Sequence, residues 1–321
     1  MAVTVSSAEA SAADAPTSFS ARTRLLVVAP HPDDETIASG LLIQQVRAAG
    51  GEVGIVLLTD GDNNPWPQRW MEQRLYIDAD ARRRWGARRH AELLQAMQRL
   101  GLPASALQQL HWPDLGVTSR LLLAPQAAVA AVTSAITTFR PDIVVAPAMG
   151  DRHPDHGSAH ALVRLALARM PSAPTLLTYM VHGSESAEPM LHIGGSPGEQ
   201  AAKRFALSAH RSQLVLSGGR VQRLSDRAER FFAVPRRRTA PGGGLPWRPP
   251  VVLHPWLRLS LVDAAGARTW RWREAPLRRS DSGGYQLLPS HGEPAESPRF
   301  AYLSLAVPSP WIFDHWGWCE L

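Results

Sequence analysis

Residues 30–35 have the sequence PHPDDE, which places one histidine and three acids within a single short stretch. His31 and Asp34 can both reach one ion from a turn, and an imidazole nitrogen with a carboxylate oxygen suits zinc or another borderline divalent metal. Asp33, between them, is then free to act as a base on water that the metal activates. The alternative is a helix start whose acids complement the N-terminal dipole.

A second stretch repeats this pattern at residues 151–156, with the sequence DRHPDH. Both stretches follow an apolar run typical of a buried strand and precede a helix-like run. If the two strands are neighbours in a parallel sheet, the two turns face each other at the edge where ligands bind. His156 then completes a His-Asp-His set and leaves positions open for water and substrate, as a catalytic zinc site requires.

The elements around these turns predict a sheet that can position them. Residues 25–29 and 141–147 are the two apolar runs, and helix and strand signals alternate from residue 21 to residue 234, which predicts βαβ units and a parallel sheet. We expect helices over 87–100, 159–169 and 201–216, and a loop from Pro65 to Trp70. His210 and Gln213 share a face of the last helix and are interpreted as structural.

The pair of motifs PHPDDE and HPDH resembles the zinc-dependent N-acetylglucosaminyl deacetylase family, called PIG-L or LmbE-like. The similarity runs from about Arg24 to about Phe232, and Pro30 stands where the family normally has alanine. The resemblance implies an α/β fold with a Rossmann-like (LmbE-like), mostly parallel sheet and flanking helices. It also implies Zn²⁺, or another divalent metal such as Fe²⁺, and an N-acetylated amino-sugar conjugate as substrate.

The resemblance also implies a role for each residue of the two motifs. The implied metal ligands are His31, Asp34 and His156, and Asp33 is the implied general base. His153 is the implied polarising or proton-donating group, and Asp155 is expected to orient it.

Three further residues are predicted to contact substrate. Arg89, in an Arg-x-x-Glu pair, and Asp114, after a proline, match family positions implied in sugar contact. His182 follows the predicted strand 175–181 and would reach the same sheet edge. The structural alternatives are a surface ion pair for Arg89, a turn acid for Asp114 and a hydrogen-bonded structural histidine for His182.

The amino-acid composition limits which partners and which cellular compartment are expected for the chain. The single cysteine among 321 residues excludes an internal disulfide and fits the cytoplasm, which is the predicted location. The sequence contains no run of 18 apolar residues, so we predict no membrane span. The net charge of +6 is carried mostly by arginine clusters, which could bind nucleic acid, anionic lipid or a phosphorylated substrate. No nucleic-acid motif accompanies them, so we predict no nucleic-acid partner, while peripheral membrane contact stays open and the oligomeric state is not predicted.

Four segments are predicted along the chain. Residues 1–20, rich in alanine and serine, are expected to be a disordered leader rather than a secretory signal. Residues 21–234 form the PIG-L/LmbE-like deacetylase domain, and 235–250 form a linker rich in glycine and proline. Residues 251–321 alternate apolar and polar positions, which predicts a small C-terminal antiparallel β unit.

The sequence thus predicts a metal-dependent hydrolase that removes the N-acetyl group from an N-acetylglucosamine-type sugar on a larger conjugate. One alternative is a metal-dependent amidase that acts on another acylated amine. The other alternative is a sugar-binding protein without catalysis.

Overall fold

Parallel strands alternate with helices through the first two-thirds of the chain. The computed structural model describes residues 18–183, 187–234, 244–280, 283–288, 297–307 and 315–321. A seven-stranded sheet has the order β3-β2-β1-β4-β5-β7-β6. Its strands are β1 (Arg24–Ala29), β2 (Glu52–Thr59), β3 (Leu107–Trp112), β4 (Ile143–Pro147), β5 (Thr175–Tyr179), β6 (Leu191–Ile193) and β7 (Glu229–Ala233). The first five pair in parallel and the last two are antiparallel, which confirms the predicted mostly parallel sheet.

Helices cover both faces of this sheet. They are α1 (Asp34–Ala48), α2 (Pro65–Glu72), α3 (Ala79–Arg99), α4 (Val117–Leu123), α5 (Pro125–Phe139), α6 (Pro154–Ala168), α7 (Pro197–Leu207), α8 (Arg211–Leu214) and α9 (Arg220–Ser225). One core packs α1, α3 and α7 against one face, and the other packs α4, α5 and α6 against the opposite face. Because both faces are covered, β1 and β4 are continuous apolar runs rather than alternating ones.

Several helices begin at residues other than those predicted from the sequence. The expected loop at Pro65 is wrong, because the proline occupies the first turn of α2, where its fixed φ suits a helix. Helix α3 begins eight residues before the predicted start at residue 87, where the Asp78 side chain caps the Ala81 N–H at 2.7 Å. Helix α6 begins at Pro154 instead of residue 159, which puts His156 in its first turn.

The predicted helix over residues 201–216 is broken in two. Helix α7 ends at Leu207, and α8 begins at Arg211 after a short turn. His210 lies at the break, where it is fully buried and its Nε2 is 3.2 Å from the Glu35 carboxylate. The chain therefore leaves the helical path where this side chain turns inward toward α1.

Two small antiparallel sheets follow, as the C-terminal pattern predicts. Their orders are β10-β9-β13-β14 and β11-β12-β8. The strands are β8 (Gly244–Leu245), β9 (Leu257–Asp263), β10 (Gly266–Arg271), β11 (Leu277–Arg279), β12 (Tyr285–Leu287), β13 (Phe300–Leu305) and β14 (Gly317–Glu320). Strand β8 lies within the predicted linker and pairs with β12. Most of the predicted leader (1–17) and the first part of the linker (235–243) lie outside the described residues, and the four-segment division stays a prediction.

The four-stranded C-terminal sheet packs directly against the larger sheet's helices. Val262, Phe300, Tyr302 and Trp318 join the core formed by α4, α5 and α6. A buried ion pair between Arg164 on α6 and Glu320 on β14 adds a polar contact. The C-terminal strands therefore share a core with helix α6, which carries His156.

Within the described residues, no single helix is long and apolar enough to cross a membrane. The pair α4 and α5, bent by 118°, passes that test of length and composition only when the two helices are taken together.

Candidate metal centre

The two histidine-containing turns face each other at one edge of the sheet. His31 lies between the end of β1 and the start of α1 at Asp34, and His156 lies in the first turn of α6, after β4. Strands β1 and β4 are parallel neighbours, so their carboxyl ends deliver both turns to one place. This juxtaposition is the one that the repeated motif predicts.

One carboxylate oxygen of Asp34 lies between two imidazole nitrogens. Asp34 Oδ2 is 3.3 Å from His31 Nδ1 and 3.2 Å from His156 Nε2. The same oxygen accepts the backbone N–H of His31 at 2.9 Å, which ties the turn to the helix start. All three residues are buried, so the group is closed to bulk water on most sides.

This donor set fits a divalent metal. Both ring nitrogens of His156 are buried and have no hydrogen-bond partner, although carboxylate oxygens lie 3.1 and 3.2 Å away. Burial lowers the pKa of His156, but the carboxylates of Asp151 and Asp34 outweigh it and raise that pKa to about 10. The site thus favours a positive charge, and two imidazoles with a carboxylate are a ligand set of catalytic zinc sites.

His153 is a second candidate for the metal. Nitrogen atoms of His31, His153 and His156 all lie within 4.8 Å of one another. However, His153 Nδ1 accepts the backbone N–H of Asp155 at 3.3 Å, so the neutral ring carries its proton on Nε2. Burial holds the pKa of His153 well below its usual value. A neutral ring with its N–H on Nε2 suits the predicted polarising role.

Asp151 supports His156 from behind, a role that was not predicted from the sequence. Its Oδ2 is 3.1 Å from His156 Nδ1 and accepts the backbone N–H groups of Val181 and His182 at 2.8 and 2.9 Å. Burial would raise the pKa of Asp151, but His156 and these hydrogen bonds hold it below its usual value. A carboxylate behind a ligand histidine fixes its ring and raises its basicity. The signal was available, because Asp151 opens the DRHPDH motif.

Two acids support His31 in the same way. Its Nε2 is 3.2 Å from Asp155 Oδ2 and 3.2 Å from Asp114 Oδ1. The Asp155 carboxylate also accepts the backbone N–H groups of Leu115 and Val117. Asp155 therefore meets His153 through its backbone N–H and directs its carboxylate to His31, whereas the sequence predicted that it orients His153.

The predicted base, Asp33, lies beside this cluster with its side chain 14% exposed. Burial raises the pKa of the Asp33 carboxyl to about 6, against the opposing effect of the Arg89 guanidinium. Asp33 has an unusual backbone, with φ 139° and ψ −25°. A residue with a Cβ rarely adopts such a conformation, and it is most often found at functional sites.

The three predicted substrate contacts lie around the cluster in different environments. Asp114 and His182 are partly buried at its rim, and the His182 ring centroid is 5.1 Å from that of His156. Arg220 donates to His182 Nδ1 at 3.1 Å.

Arg89 is only 3% exposed, and its guanidinium donates to the carbonyls of Gly61 and Pro32. These bonds favour a positioning role for Arg89 over the predicted sugar contact.

Comparisons with known proteins agree with this geometry. Residues 26–167 match the family model described as PIG-L: GlcNAc-PI de-N-acetylase. A 1D-myo-inositol 2-acetamido-2-deoxy-alpha-D-glucopyranoside deacetylase of Mycobacteroides abscessus is 29% identical over 234 residues, or 60% of this chain and 82% of that protein. The protein of the same name from Mycolicibacterium smegmatis is 34% identical over 162 residues, and the match spans 47% of this chain and 55% of that relative.

A solved structure shares the fold. A conserved protein of Thermus thermophilus is 28% identical and superposes with a TM-score of 0.50, covering 68% of this chain and 97% of that one. The family-model match ends at residue 167, and the C-terminal strands lie beyond it. Residues 26–167, which hold His31, Asp34 and His156, are thus the part of the chain that is similar to the PIG-L family.

Proposed function

We propose that this protein is a divalent-metal-dependent hydrolase that removes the N-acetyl group from an N-acetylglucosamine-type sugar on a larger conjugate. The observation that carries the proposal is the position of Asp34 Oδ2 between nitrogens of His31 and His156, with the Asp33 carboxylate beside them. The two named relatives are deacetylases of an acetamido sugar linked to inositol, which supports the substrate class.

His31, Asp34 and His156 would hold the metal, and the donor set suits Zn²⁺ or Fe²⁺. When bound, such an ion polarises a carbonyl and lowers the pKa of water toward neutrality. Asp151 behind His156, and Asp114 with Asp155 behind His31, would keep both rings in their binding orientation.

The chain's own residues would manage the protons of the reaction. Asp33 accepts a proton from the water that attacks the acetyl carbonyl carbon, and a carbon–oxygen bond forms. The carbon–nitrogen bond then breaks, and Asp33 passes that proton to the leaving amine, which yields acetic acid and the free amino sugar. His153 donates a hydrogen bond from its Nε2–H to the carbonyl oxygen while negative charge develops there, and the proton stays on His153.

Substrate contacts would come from the rim of the cluster. Asp114 offers its carboxylate and His182 its imidazole to the hydroxyl groups of the sugar. Arg89 acts mainly by holding the turn that carries Asp33.

Two exposed tryptophans lie on the helix α2. Trp66 and Trp70 are 65% and 60% exposed, and this helix follows the loop whose Asn63 N–H donates to Asp114. We infer that an extended aglycone lies along this aromatic surface, and that the enzyme acts in the cytoplasm.

The test is acetate release by purified, metal-loaded protein from a panel of N-acetylglucosamine conjugates. The panel includes free N-acetylglucosamine, inositol-linked and glycan-linked forms, and acylated amines without a sugar. We expect turnover of sugar conjugates, and loss of that turnover in Asp33→Ala. Cleavage of acylated amines alone would favour the amidase alternative. Sugar binding without acetate release would instead identify a binding protein.

A further inference from the structure

The peptide bond between Pro32 and Asp33 is held at both of its ends. Its carbonyl accepts a hydrogen bond from Arg89 Nη2 at 2.7 Å. Its N–H, on Asp33, donates to Glu35 Oε2 at 3.0 Å. Arg89 is 3% exposed and Glu35 is fully buried, so neither contact is exchanged with bulk water.

This double contact coincides with the unusual backbone of Asp33. A φ of 139° is unfavourable for a residue with a Cβ, and such a conformation persists only where the surroundings enforce it. Rotation of the peptide plane would relieve the strain, but it would break the hydrogen bonds to Arg89 and Glu35. The direction of the Asp33 carboxylate therefore depends on these two partners.

Glu35 is in turn held by a residue from a distant part of the chain. Its Oε1 accepts the hydroxyl of Thr36 at 2.6 Å and lies 3.2 Å from His210 Nε2. His210 is fully buried and lies at the break between α7 and α8. Burial lowers the pKa of His210, but the Glu35 carboxylate outweighs it and the net pKa is raised. The broken helix thus delivers a side chain that fixes the Glu35 carboxylate.

We propose that Glu35 and His210 are a positioning pair for Asp33, and that Arg89 completes the arrangement on the opposite end of the peptide. The proposal rests on the proposed function, in which Asp33 is the base. Glu35 and His210 touch neither substrate nor metal in this role. They set the orientation of the Asp33 carboxylate relative to the water that attacks the carbonyl.

The test separates kcat, KM and metal content in variants of the full chain. We expect His210→Phe, which keeps a ring and removes its nitrogens, and Glu35→Ala to lower kcat on the order of 100-fold, the usual cost of a misplacement near 1 Å. KM and metal content should stay within twofold of the parent protein. Glu35→Gln, whose amide oxygen can still accept the Asp33 N–H, should restore much of the lost kcat.

A matched control is a second buried acid that contacts α1. Glu229 accepts the backbone N–H groups of Leu41 and Leu42 in α1 through its carboxylate and pairs with Lys203. Glu229→Gln should lower the melting temperature and leave kcat within twofold. A loss of kcat in this control as large as that of Glu35→Ala would show a general effect of helix stability and overturn the proposal.

A double-variant comparison identifies the residue through which the pair acts. In an Asp33→Ala background, His210→Phe should lower kcat no further. An additional loss there, a kcat within twofold of the parent in the single variants, or metal loss that parallels the kcat loss would each overturn the proposal. If Glu35→Ala does not fold, His210→Phe and Glu35→Gln decide the question. A parent protein that releases no acetate would instead reject the proposed function itself.

Discussion

The indole N–H of Trp318 donates to the hydroxyl of Ser158 at 3.0 Å, two residues from His156. The same ring covers Gly157, where an added Cβ would lie 2.8 Å from Trp318 Cδ1. Trp318 is on β14, far outside the residues that match the family model. The C-terminal sheet therefore contacts the first turn of α6, which holds His156.

This contact predicts that Trp318→Ala destabilises the whole chain and loosens the metal site. Trp318 is 6% exposed and stacks on Tyr302, so truncation should cost about 3–5 kcal/mol in the free energy of unfolding. Thermal unfolding and metal affinity measure the two effects. Trp70→Ala, at a side chain that is 60% exposed, is the control and should change stability by less than about 0.5 kcal/mol. Equal stability of the two variants would contradict the shared core.

The assignment of His31, Asp34 and His156 as metal ligands predicts that removing them lowers the amount of metal bound per chain. The parent protein should hold one divalent ion per chain by elemental analysis, and a chelator should abolish acetate release until metal is restored. The double variant His31→Ala, His156→Ala should retain almost none, because it removes both imidazoles that face Asp34 Oδ2. Near-stoichiometric metal in that variant would place the ion elsewhere.

Asp33 and His153 should affect the rate and leave the metal in place. Asp33→Ala removes the proposed base, and general-base contributions are on the order of 100-fold to 10,000-fold in kcat. His153→Ala should lower kcat with metal content unchanged if its neutral ring only donates to the carbonyl oxygen. If His153→Ala instead loses metal in proportion to activity, the three-histidine arrangement around His31 and His156 would be the ligand set.

Asp151→Asn should weaken metal binding while leaving the fold intact. An amide in place of the carboxylate removes the charge behind His156 Nδ1, and such substitutions typically cost about 10- to 100-fold in metal affinity. Competition with a chromogenic chelator measures the affinity. Asp80→Asn is the control, because the Asp80 side chain is 69% exposed and pairs with Arg83 at the surface. An unchanged affinity in Asp151→Asn would remove Asp151 from the metal centre.

The parts of this site that could be predicted from sequence are those set by local patterns. The apolar runs, the two motifs and the helical spacing after them suffice to bring His31, Asp34 and His156 to one sheet edge. Cap residues also carry local information, since Pro65 begins α2 and Asp78 caps α3, and the apolar spacing alone reveals neither start.

The missed parts depend on contacts between residues far apart in the chain. His210 reaches Glu35 across 175 positions, and Trp318 reaches Ser158 across 160. Neither partner changes the local spacing of apolar residues, so the pattern at 201–216 predicted an unbroken helix. Only the contact of the buried His210 with Glu35 of α1 shows why the chain breaks at His210.

A glycine beside Arg89 gives the last prediction. Gly61 has φ +61°, and an added Cβ would lie 2.2 Å from Arg89 Nη1, so Gly61→Ala must displace the guanidinium that holds the Pro32 carbonyl. Gly218 has φ +55° with open space around it, so Gly218→Ala carries a similar backbone strain without the displacement. Both variants should lose about 1 kcal/mol of stability from the left-handed backbone. Only Gly61→Ala should also lose kcat, by roughly tenfold or more, because Asp33 is no longer held in place. Equal kcat values for the two variants would show that Arg89 does not position Asp33.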